Sequence, residues 1–194
     1  MDWSIILSSC IVAITTIFSI FLKEFIQARS LKSKTCVVNY TKKNENVEKA
    51  INYLSKALKS DRVYIYEFHN GDHFYSGTHQ QKFSCTYESL GAGVSSEALA
   101  LQDLRVSTFN YFIKSVVNEN KFFIPDSGEV SNPLIKSWLD TRGIASTFSF
   151  PIKSLNKNII GIISIDFTKQ KDELTCEEIQ LVIDQSKIIC GYLI

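Results

Sequence analysis

ASTFSFPIKSLNKNIIGIISIDF, residues 145–167, decides the fold. Ile144, Ser146, Phe148 and Phe150 alternate with Ala145, Thr147 and Ser149, the two-residue period of a strand with unlike faces. Ile159 to Phe167 is the most apolar strand-like run in the chain and is expected near the middle of a sheet. Only the polar connection Ser154 to Lys157 separates the two runs, so they predict an antiparallel hairpin.

Working outward, Ser131-Asn132-Pro133 predicts a helix start with proline in the first turn, and Gly143 a helix stop. Phe122 to Ile124 reads as a short strand closed by Pro125. Ser107 is the expected cap of a helix through Asn118, with Phe109, Phe112, Ile113 and Val116 on one stripe. Upstream, Val63 and Ile65 alternate with Tyr64, Tyr66 and Phe68, giving a strand over residues 62–68. A second strand, Lys82 to Glu88, is expected to set Phe83, Cys85 and Tyr87 on one face and Ser84 and Thr86 on the other. His69-Asn70-Gly71-Asp72 between them is a turn-former cluster, so the first strand should end at Phe68. Val47, Ile51, Leu54 and Leu58 predict an amphipathic helix over 44–59. Thr175 and Glu178 form a capping box before a last helix striped by Ile179, Val182, Ile183, Ser186, Ile189 and Leu193. The class is α+β: a mostly antiparallel sheet flanked by helices.

The N-terminal run Trp3 to Leu22 is uncharged and apolar all round, long enough as a helix to cross about 30 Å of hydrocarbon. No basic stretch precedes it and no small-x-small site follows, against a cleaved leader. Lys23, Arg29, Lys32 and Lys34 follow, against Glu24. The expectation is a single transmembrane helix over 1–23 with its N-terminus outside, a basic juxtamembrane linker over 24–43, and a cytoplasmic domain over 44–194.

A formal net charge of +1, with no basic block beyond that linker, argues against nucleic acid. Five cysteines without a C-x-x-C pair read as free thiols in a reducing compartment. No H-E-x-x-H, G-x-S-x-G or phosphate-binding glycine loop occurs, so no catalysis is expected. A Cys85–His69 pair is arithmetically possible, but Cys85 sits on the apolar face.

His69, His73 and His79 fall in one connection. A metal held by His69 and His73 competes there with a turn whose side chains bond the backbone, and the turn is preferred. Tyr66, Phe68, Phe74, Phe83, Tyr87, Trp138 and Phe148 are the candidate walls of a pocket for a flat or amphipathic molecule. The alternative is an ordinary core with tyrosines at its edge. Phe68, His69, Asn70 and Gly71 are expected at the mouth. Arg142 offers a cation for an anionic group, with an ion pair to Asp140 or Glu67 as the alternative.

The order of elements, with FFIPD at 122–126 leading through a helix to the 145–167 hairpin, resembles the GAF domain family over residues 44–193. The resemblance implies a small ligand held between the sheet and the helices of one side, and pairing of two copies through the first and last helices. Glu67-Phe68-His69-Asn70-Gly71 and Phe83-Ser84-Cys85-Thr86-Tyr87-Glu88 are more loosely similar to small membrane-anchored proteins of tailed bacteriophages. No cysteine is followed closely by histidine, which counts against a covalent bilin. The cyclic-nucleotide signature and the cysteine trio of methionine sulfoxide reducing members are also absent.

The expected function is a membrane-anchored ligand-binding or sensory module without catalytic output, signalling through a partner or dimerisation. Its expected partners are the lipid bilayer, an unidentified small molecule and a second copy, with the cofactor left open. The alternatives are a structural or interaction protein of a phage whose fold has lost its ligand and, remotely, a thiol- or metal-dependent enzyme.

Overall fold

Alternating β-branched and aromatic runs from both ends of the chain build one sheet. Its strands are β1 (Arg62–His73), β2 (His79–Leu90), β3 (Leu104–Arg105), β4 (Phe122–Ile124), β5 (Ser146–Lys153) and β6 (Ile159–Phe167). They run antiparallel in the order β3-β2-β1-β6-β5-β4. The helices are α1 (38–58), α2 (Asn110–Glu119), α3 (Pro133–Thr141) and α4 (Cys176–Leu193). This computed structural model describes residues 18–23, 38–74 and 76–194. The chain divides into two compact units, Met1–Lys43 and Asn44–Ile194.

Alternation along each strand gives the sheet two apolar faces. Val63, Ile65, Phe148, Phe150, Ile163 and Ile165 pack with Val47, Ile51 and Leu54 of α1 and Val182 and Ile189 of α4. On the opposite face, Tyr64, Tyr66, Phe83 and Ile162 pack with Phe112, Ile113 and Val116 of α2 and Ile135 and Leu139 of α3. The β5–β6 hairpin and the central place of β6 are as the 145–167 stretch predicts. Thr175 and Glu178 form the capping box of α4.

Three expectations are corrected. β1 does not end at Phe68: His69 pairs with Lys82, Asn70 with Gln81 and His73 with His79. The turn lies beyond, where Thr78 O accepts from the Phe74 N–H at 2.9 Å. Ladder bonds to β2 outweigh the turn preference of the His-Asn-Gly-Asp cluster. Second, Tyr87 does not share the face of Phe83 and Cys85. Ile65 pairs with Tyr87 and Tyr66 with Cys85, leaving Thr86 as an extra residue in a β-bulge that turns the following side chains over. Tyr87 therefore packs on the α1/α4 side. Third, Ser107 does not cap α2, whose N-cap is Phe109 without a side-chain bond. Phe109 is buried, and packing fixes the helix start where no cap does. β3, of two residues, is too short to show a period in the sequence.

Among the described residues no helix is long and apolar enough to cross a membrane. The run expected to do so, 3–22, lies outside the described residues except for its last five.

Candidate ligand site

Helix α3 delivers two side chains to the sheet. Asn132 caps its start, with Oδ1 accepting from the Ile135 N–H at 3.1 Å, and Pro133 stands in its first turn. At its end Gly143, with φ of 62°, takes the left-handed conformation that closes a Schellman turn. The Gly143 N–H donates to Asp140 O at 3.1 Å and the Ile144 N–H to Leu139 O at 3.0 Å, while Ile144 and Leu139 both enter the core. Arg142 is thereby fixed at the C-cap, its side chain buried against the sheet.

Beneath it lies a polar strip on an otherwise apolar face. Arg142 Nη2 donates to Asp166 Oδ2 at 2.9 Å, and Thr147 Oγ1 donates to Asp166 Oδ1 at 2.6 Å. Next along the sheet, Ser149 and Ser164 share a hydrogen bond of 2.6 Å. Arg62 binds the Arg142 carbonyl through Nη1 and Ser95 O through Nε, both at 3.2 Å. The Arg142 guanidinium carbon sits 4.3 Å from the Trp138 ring centre and 5.1 Å from that of Tyr64, within cation–π range. The partner of Arg142 is thus Asp166, neither Asp140, which pairs with Lys136, nor Glu67.

Some polar atoms on this face lack partners. The Tyr66 hydroxyl and Trp138 Nε1 are buried without a hydrogen-bond partner, while the Tyr64 hydroxyl faces the Arg142 guanidinium, which holds back the rise of the phenol. Each such group costs about 1–3 kcal/mol when left unpaired, a cost that an ordered water or a bound molecule accepting from it recovers. Burial pushes the Asp166 carboxyl up, and Arg142, Thr147 and Arg62 pull it back. Burial likewise pushes the Tyr64 and Tyr66 phenols up, keeping both protonated as donors. A cleft of about 290 Å³ reaches Trp138 and Arg142 from outside, between α3 and the 97–104 segment.

Of the residues expected at a pocket, Tyr66, Phe68, Phe83, Trp138 and Arg142 gather on this face. Phe148 and Tyr87 lie on the other, where Tyr87 Oη bonds Asn44 Oδ1 at 2.6 Å. By alternation His69 also faces away from Arg142, its Nε2 2.9 Å from Ser84 Oγ. Asn70 accepts from Gln81 Nε2, Gly71 is a strand residue, and Phe74 is exposed beyond the ladder. The Phe68-His69-Asn70-Gly71 segment is therefore paired strand, not the rim of a turn. Sequence reading missed Tyr64, Arg62 and Asp166. The signal for Asp166 was there, since an acid inside the most apolar strand demands a buried cationic partner.

Cys85 Sγ bonds Tyr87 O at 3.3 Å, and burial pushes its thiol up to about 12, with Glu88 adding to the effect. A thiol so held is a poor nucleophile. The rings of His73 and His79 meet at a tilt of 47° across the hairpin, with centres 4.0 Å apart. Among the described residues no three histidine, cysteine or acidic side chains gather to hold a metal.

No family model matches the sequence, and no curated protein does. Solved structures do resemble the fold. The blue-light absorbing PixJ GAF domain of Thermosynechococcus elongatus superposes with a TM-score of 0.63 at 13% identity, over 80% of this chain and 86% of that one. The GAF domain region of a Geobacter sulfurreducens protein gives 0.61 at 16% identity, over 81% and 97%. GAF3 of Slr1393 from Synechocystis sp. PCC6803, in its photoproduct state, gives 0.57 at 12% identity, over 76% and 90%. The comparisons give no support to the bacteriophage likeness. At these identities the likeness is one of fold, and the fold of residues 44–194 is that of a GAF domain.

Proposed function

We propose that this protein is a sensory or ligand-binding module that takes a small molecule in the cleft between α3 and the 97–104 segment, against Trp138 and Arg142. The carrying observation is a cleft that reaches Trp138, whose buried Nε1 has no partner, beside the Arg142 guanidinium. The GAF-like fold supports the reading by analogy only. One GAF neighbour is phycoerythrobilin-bound. Cys85, the cysteine of this face, is held as an unreactive thiol, which counts against covalent attachment through it. The module has no catalytic output of its own and passes its signal through a partner or a second copy. The 3–22 run anchors it in a bilayer, with its N-terminus outside and the 44–194 unit in the cytoplasm.

Native mass spectrometry of the full-length chain, released from detergent, tests the binding. The expected result is one small molecule per protomer in the wild type and its loss in Trp138→Ala. A wild type that never carries a molecule, purified from cells or after exposure to metabolite extract, refutes the reading.

A further inference from the structure

We infer that the groove between α4 and the β4–β5 edge of the sheet binds a free fatty acid, its chain on an apolar floor and its carboxylate among lysines. The groove holds about 480 Å³ and shares no lining residue with the Trp138 cleft. That volume lies within the roughly 300–1,000 Å³ of small-molecule sites. Helical spacing brings Ile179, Ile183 and Lys187 to it at i, i+4 and i+8 of α4. Phe123 of β4 and Phe150 of β5 form the other wall, their ring centres 5.0 Å apart.

The groove has a polar end and an apolar end. The Lys171 N–H donates to Ser146 Oγ at 2.8 Å, which holds the entry to α4 beside the start of β5. The helix and the strand therefore line the groove in the same direction, and Lys153 and Lys187 come to one end of it. β4 is antiparallel to β5, with Phe122 opposite Ser149, so Lys121 lies toward that end as well. There the Lys153 ammonium bonds Asn120 Oδ1, and that of Lys121 stands 5.3 Å from the Phe123 ring centre. Among the described residues no acidic side chain lines the groove. Asp184 pairs with Lys187 at 2.9 Å and takes one of the three charges. Glu119 lies with Lys114 on the adjoining surface beside Tyr111, where the two offset each other. Lys121 and Lys153 have no ion-pair partner among the described residues. Two uncompensated ammoniums at one end of an apolar trough match an anionic head on an apolar tail and repel a cationic one.

The test uses full-length protein in phosphatidylcholine nanodiscs, read by hydrogen exchange and mass spectrometry. Decanoate, decanol and decyltrimethylammonium are compared at equal free concentrations set by dialysis. The expected result is saturable protection by decanoate of peptides covering 120–124, 150–153 and 179–187. Decanol should protect them at least tenfold more weakly, and the cation not at all. Lys121→Gln combined with Lys153→Gln should weaken decanoate tenfold or more, while leaving decanol and the exchange of the unliganded protein unchanged. Ile183→Ser should weaken acid and alcohol alike. Equal protection by acid and alcohol, protection confined to α3 and 97–104, or none up to the solubility limit overturns the inference. So does protection that appears without added acid when phosphatidylglycerol replaces phosphatidylcholine and does not respond to decanoate, which gives the groove to bilayer lipid. The Trp138 cleft stands or falls separately, on the molecule that co-purifies.

Discussion

Replacing Arg142 by methionine isolates the ion pair at the centre of the site. The side chains of Arg142 and Asp166 are 5% and 3% exposed, and their contact is 2.9 Å. Methionine keeps most of the volume but leaves the Asp166 carboxylate in the sheet with only the Thr147 hydroxyl bonded to it. Removing one partner of a buried pair typically costs about 3–5 kcal/mol. Domains of this kind have about 5–15 kcal/mol in total, so the variant should be visibly fragile in urea titrations followed by circular dichroism. Asp166→Asn in the same background removes the orphaned charge and should restore about half of the loss or more. The pH dependence has a definite sign. Burial already raises the Asp166 carboxyl in the folded state, and loss of Arg142 raises it further. The variant should therefore approach wild-type stability below about pH 4, the ordinary aspartate value, and lose it as pH rises through the new folded-state value. A cost under about 1 kcal/mol at neutral pH, unchanged on acidification and uncoupled from Asp166→Asn, would refute the buried-pair account.

Gly161→Ala should cost about 1–3 kcal/mol, because its Cβ would lie 2.5 Å from the Tyr66 carbonyl oxygen in the neighbouring strand, where neither backbone can retreat; an unchanged urea midpoint would contradict the β1–β6 register. In native protein at pH 8, iodoacetamide should modify exposed Cys176 and spare buried Cys85, as peptide mapping will show. Because the Cys85 thiol is raised to about 12, its contribution to stability is full below about pH 9 and is lost between there and pH 12; a melting temperature flat to pH 12 in wild type and Cys85→Ala alike would count against it. A cysteine introduced near the C-terminus should resist a membrane-impermeant maleimide in intact cells until they are permeabilised; immediate labelling reverses the proposed topology.

What the sequence made legible was local. The β5–β6 hairpin, the Asn132 cap, the Gly143 stop and the Thr175–Glu178 box each depend on residues a few positions apart, and each is where the pattern put it. What it hid depends on pairing across the sheet. The bulge at Thr86 reverses Tyr87, and no one-strand period can show an extra residue opposite another strand. The hairpin extends through His73 because β2 supplies ladder bonds to residues that by themselves prefer turns. The expected pocket residues were gathered by aromatic character alone, so they divided between two faces once the strands paired. Arg142 and Trp138 were found, but Asp166, 24 positions along the chain, was not matched to them.

The most direct measurement is a high-resolution structure of the full-length protein as purified from cells, with attention to the α2/α3 face. The account predicts density for one non-water molecule in the cleft between α3 and the 97–104 segment, in contact with Arg142 and Trp138. Ordered waters alone in that cleft would contradict it and make this polar strip part of a hydrated core.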